Sequence, residues 1–102
     1  MQLIKFKLVT VICEPVLSPS ILQMSEAHGA TGFTITDVKG QGNGEKSSGE
    51  IPDVKIKIEI ILDSEVALNF MKTLAEEYFS NYSLITFATD ISILRPEKFE
   101  AS

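Results

Sequence analysis

The residues best placed to do chemistry in this chain lie in Gly40 to Glu50, GQGNGEKSSGE, where four of eleven residues are glycine and none is strongly apolar. Such a segment stays out of a core and leaves backbone N–H groups available to a ligand or partner. Within it Lys46, Ser47 and Ser48 can neutralise and hydrogen-bond an anion, and Arg95 is a second candidate contact for a phosphate. Glycines at 40, 42 and 44 do not have the spacing of a dinucleotide-binding fingerprint, and no GxxxxGK[ST] loop is present. By itself the motif therefore fits a flexible connection as well as an anion site, and Arg95 fits an ordinary surface arginine as well as a ligand contact.

The remaining inventory is thin. One histidine and one cysteine cannot by themselves build a metal site, and no CxxC or HxxxH spacing occurs. His28 falls at an expected helix C-terminus, where the dipole favours an imidazole, and Cys13 closes an apolar run as a small packed residue. Glu76 and Glu77 are neighbours on an expected helix and point apart, so they do not form a facing acid and base. Recognition of a phosphate-bearing ligand is the better prospect, and catalysis the poorer.

Composition narrows the setting. A length of 102 residues implies one domain, and a chain this small gains from burying more surface by self-association. Apolar residues make up 44% and charged residues 23%, as in folded soluble proteins, and no apolar run approaches a membrane span. The opening residues MQLIKF lack a signal-peptide core and cleavage site, and a lone cysteine suits a reducing compartment, so a cytoplasmic protein is expected. A net charge of -5 argues against nucleic-acid binding. Lys5, Lys7, Lys55 and Lys57 fall in two expected strands and form either a local basic patch or a solvated sheet face.

The elements that position these residues follow from periodicity. Leu3 to Cys13 begins with alternation, Ile4, Phe6 and Leu8 against Lys5 and Lys7, and ends apolar on both faces, which predicts a central strand. Ser18 before Pro19 predicts an N-cap, Leu17 and Leu22 a hydrophobic staple, and Gly29 a helix stop after His28. Gly32 to Lys39 is β-branched and aromatic, and Val54 to Leu62 alternates cleanly, so two strands flank the glycine segment. Asp63 or Ser64 caps a second helix with an apolar stripe of Ala67, Met71, Leu74, Ala75, Tyr78 and Tyr82, ending at Tyr82. Leu84 to Leu94 is the last strand, with Ile85, Phe87, Ile91 and Ile93 in phase, closed by Arg95-Pro96. The order is βαββαβ, an α+β ferredoxin-like arrangement with a four-stranded antiparallel sheet and two helices on one face. Val9, Val11 and Ile61 are expected to leave the second face apolar and suited to self-association.

With those elements in order, nearly the whole chain resembles the P-II-like signalling proteins, and within them the SbtB-like group linked to bicarbonate uptake. The likeness is carried by KLVTVICEPVL, HGATGFTITDVKGQG, SSGEIPDVKIKIEI, AEEYFSNYSLITF and the closing ISILRPEKF. The resemblance implies a homotrimer with its sheets turned inward and adenine nucleotides (AMP, ADP, ATP or cyclic AMP) in clefts between subunits. It makes residues 40–52 a T-loop that touches a partner, a membrane bicarbonate transporter. Carried over by position, Thr36, Val38, Lys39, Gly40, Gln41 and Gly42 approach the nucleotide from the loop base. Ser83, Leu84, Ile85 and Phe87 lie near the adenine, and Lys46, Ser47 and Arg95 near the phosphates.

The chain departs from that pattern in informative places. Its loop reads NGEK, so it offers Lys46 and no arginine, a point charge without a bidentate fork. It has no GDGK segment before the last strand and no loop tyrosine, so nucleotidylylation and joint ATP and 2-oxoglutarate sensing are not expected. The expected molecule is a non-enzymatic regulator. A CutA-like trimeric module for metal or small ligands and a phosphate-hydrolysing domain of the same topology are the alternatives.

Overall fold

The computed structural model describes residues 2–40 and 53–100. It contains β1 (Ile4–Cys13), a 3-10 turn (Pro15–Leu17), α1 (Ser18–Ala27), β2 (Thr34–Gly40), β3 (Asp53–Leu62), α2 (Ser64–Tyr78), β4 (Ile85–Ile93) and a short 3-10 turn (Pro96–Lys98). The strands form one antiparallel sheet in the order β2-β3-β1-β4, which is the expected ferredoxin-like topology. No described helix is long and apolar enough to cross a membrane.

Register decides what each face carries. Val9 pairs with Ile60, Val11 with Ile58 and Cys13 with Ile56, and all six are buried beneath Leu17 and Ile21 of the first helical segment and Ala67, Phe70 and Leu74 of α2. Val9 and Val11 therefore belong to the helix-covered core, contrary to the expectation that they furnish the second face. The alternation seen in Ile4, Phe6 and Leu8 marks the other side of the strand. That second face is apolar through Leu8, Ile12 and Ile61 in the middle of the sheet and Ile85, Phe87, Ile91 and Ile93 on β4. Ile85 and Phe87 are 51% and 45% exposed, so the described residues leave the face open at that end. The four lysines form no common patch. Lys5 and Lys7 point to the helix side at one end of the sheet, and Lys55 and Lys57 to the open side at the other.

Local chemistry accounts for the helix ends. The 3-10 turn already curves the chain, through Leu17 N–H to the Glu14 carbonyl, so Ser18 enters α1 as its first residue and does not cap it. The Asp63 carboxylate caps α2 by accepting from the Val66 N–H at 3.0 Å. Gly29 closes α1 with φ 98°, a conformation that glycine adopts without a Cβ penalty. Helix α2 stops at Tyr78, a turn before the expected Tyr82, which lies outside it with its N–H on the Tyr78 carbonyl. The stripe also includes Phe70, fully buried and absent from the expected set.

Candidate functional site

A cleft of about 460 Å³ opens at the end of the sheet remote from the glycine segment. Its wall is the run from Thr31 to Thr34, which enters β2, and its floor is Leu8, Glu59 and Ile61 on the open sheet face. Lys98 and Phe99 close the far side. The C-terminal segment reaches this place because the Thr31 hydroxyl donates to the Lys98 carbonyl, while the Phe99 ring stands edge-on to Phe6 at 6.3 Å. The result is a half-apolar slot with two aromatic rings, two threonine hydroxyls, a carboxylate and an ammonium. Such a lining suits a flat, partly polar ligand held by stacking and a few hydrogen bonds. Nothing lies within 4 Å of a Cβ built on Gly32, so that glycine leaves open space at the cleft wall.

The positions singled out from sequence are distributed differently. Thr36 and Val38 sit on the open face of edge strand β2, opposite Lys57 and Lys55, while Lys39 points the other way. Ile85 and Phe87 lie on the opposite edge strand, β4. One register row runs Thr36, Lys57, Ile12, Ile85, so these residues share an end of the sheet but are separated by three strand spacings, roughly 14 Å. Leu84 turns into the core and is 9% exposed, so only its backbone is available to a ligand. Ser83 is exposed in the connection to β4, and Gly40 pairs with Asp53 at the end of β2. Arg95 leaves β4 at the cleft end, loosely paired with Glu97 at 3.8 Å with both side chains exposed. Gln41, Gly42, Lys46 and Ser47 lie outside the described residues.

The cleft residues Thr31, Gly32, Phe33, Glu59, Ile61, Lys98 and Phe99 are not among the expected site positions. Gly32 and Phe33, expected to open the second strand, instead precede it, because β2 begins at Thr34, and the small-residue and aromatic run TGF is the signal in the sequence for this wall. Their convergence also depends on the C-terminal segment crossing the sheet, which has no periodic signature. Cleft and loop base lie at opposite ends of β2, and the six residue steps from Thr34 to Gly40 span roughly 20 Å. One small ligand does not touch both within a single chain.

Cys13 and His28, the other candidates for chemistry, are packed into the fold. Burial pushes the Cys13 thiol up to about 11, helped by the Glu14 charge and opposed by Lys55, so the sulfur is a poor nucleophile. His28 ends α1 and packs edge-on against Phe70, ring centres 5.8 Å apart. The described residues contain no group of three or more His, Cys, Asp and Glu that could hold a metal ion.

Comparison with known proteins bears on the family and the fold. The family model described as nitrogen regulatory protein P-II matches residues 6–98. A protein of Thermus thermophilus described among the PII-like signaling proteins is 34% identical, with 97% of this chain and 99% of that one covered and a TM-score of 0.82. CPII from Thiomonas intermedia K12, solved with ADP and bicarbonate, is 23% identical over 97% of this chain and 98% of its own, TM-score 0.84. The same protein solved with ADP, AMP and acetate superposes with a TM-score of 0.81 at 23% identity, covering 97% and 98%. At that identity the likeness to CPII establishes the fold. No curated protein matches the sequence.

Proposed function

The chain belongs to the P-II family of nitrogen regulatory proteins, and on that premise we propose that it is a non-enzymatic signalling regulator that binds adenine nucleotides between the subunits of a homotrimer. The observation that carries this reading is the separation along β2. The cleft at residues 31–34 and the loop base at residues 36–40 both flank the open sheet face, at opposite ends, so a ligand that needs both must lie between two copies. The base would enter the slot among Leu8, Phe33 and Phe99. Its phosphates would then meet a neighbouring copy's loop base, with Lys46 and Ser47 as the candidate contacts and Arg95 beside the slot.

In this reading residues 1–102 are one domain and residues 40–52 are a T-loop whose conformation reports the ligand to a partner. The SbtB-like resemblance makes that partner a membrane bicarbonate transporter and the regulator a cytoplasmic protein recruited to it. A ligand shifts the loop only by the difference in its affinity for the two loop states, so two nucleotides signal differently only if their phosphates contact the loop differently. CPII, solved with ADP together with AMP or bicarbonate, supports a small anion as a second signal.

Calorimetric titration of the purified protein with ATP, ADP, AMP and cyclic AMP, with and without magnesium and bicarbonate, tests the proposal. Saturable binding of at least one is expected. Gly32→Leu should reduce that affinity at least about tenfold, by putting a side chain into open cleft space. Silence from all four nucleotides would overturn the reading.

A further inference from the structure

The open sheet face is uncharged except along one strand. Among the described side chains, those of β1, β2 and β4 on it are uncharged, and its charges lie on β3: Lys55, Lys57 and Glu59. Lys55 is already buried, 7% exposed, and engaged within the chain. Lys57 and Glu59 are half-buried, and among the described residues neither makes an ion pair. They are two residues apart on the same strand face, about 7 Å between Cα atoms. Apolar or hydroxyl-bearing neighbours surround them, Ile12 and Thr36 beside Lys57 and Thr10 and Thr34 beside Glu59.

We infer that Lys57 and Glu59 fix how three copies of this chain seat their open faces together, Lys57 of each copy pairing with the next copy's Glu59. This rests on the trimer proposed above and adds what specifies it. Covering an apolar face strips water from the charges it holds, and a buried charge without a partner is strongly destabilising. The surface that does the covering is the same face of another copy, and among the described side chains of its strands the charges not engaged within the chain are this same pair. Each copy offers one positive and one negative group, so a closed threefold ring balances three of each, whereas a copy seated out of register would leave both uncompensated. Ile85 and Phe87 would supply attraction without direction, and the ion pairs would supply the register.

Charge exchange tests this by sedimentation equilibrium, which reads mass and so separates assembly from any contact Glu59 makes in the cleft. Lys57→Glu and Glu59→Lys should each raise the concentration at half-assembly about a hundredfold or more, and the double exchange should recover most of that loss. Lys57→Met alone should weaken assembly, and Lys57→Met with Glu59→Gln should restore it, which keeps the test open if an exchanged variant misfolds. Single variants that assemble like the native chain would overturn the inference and leave the trimer standing, as would paired variants no better than the single ones. A native chain that sediments as a monomer would overturn both.

Discussion

The two faces of this sheet are built from the same four strands and carry similar apolar content, yet they have opposite fates within the chain. On one side Val9, Val11, Ile58, Ile60 and Leu62 are no more than 1% exposed beneath two helices. On the other, Ile85 and Phe87 remain about half exposed, and charged groups stand among the apolar ones. The first face makes a fold; the second is left to be completed. Alternation in a strand reports that two faces differ, but which one receives the helices depends on the helical segments themselves.

The largest effect should come from the closed face. Phe70→Ala removes a fully buried ring from the junction of α2, His28 and the sheet, and should lower unfolding free energy by about 3 to 5 kcal/mol in urea titration. Phe87→Asp should do the reverse on the open face: assembly is lost in sedimentation, while circular dichroism keeps the native helix and strand content. Equal unfolding by the two variants would break the distinction between the faces. A smaller effect sharpens it. Asp63→Ala deletes the α2 cap and should cost about 1 kcal/mol, read by the same urea titration, without changing the register of the sheet.

The smallest effect is at the rim of the closed face, where Lys7 hydrogen-bonds and pairs with the Asp90 carboxylate, with a lesser influence from Lys5, and holds its pKa below the ordinary 3.8. The depressed value means that the pair's contribution is fully present above about pH 4 and is lost as pH falls through the lower folded value. Asp90→Asn should therefore differ slightly from the native chain in urea midpoint at pH 6 and converge with it in acid. Solvent screening at this exposed position keeps the difference small.

Much of the fold is legible in the sequence because its signals are local. The clean alternation of Val54 to Leu62, the Asp63 cap and the Gly29 stop each reflect chemistry within a few residues, and each element appears where that chemistry puts it. The departures arise where tertiary context decides. Periodicity alone puts Val9 and Val11 on the wrong face because β1 is apolar on both sides in its second half, and it passes over Phe70 because a stripe phased on Met71 and Tyr82 does not include it. The cleft is the least legible feature. It joins Thr31 to Lys98 across the sheet, and no short-range pattern records a contact between residues so far apart in sequence.

Cys13 gives the closed face a clock. Its sulfur sits in the core beneath the helices with its pKa raised to about 11, so an alkylating reagent reaches a reactive thiolate only when that cover lifts. The labelling rate therefore counts openings of the helical layer, and its dependence on ligand would tell how tightly events on the open side are felt through a single sheet.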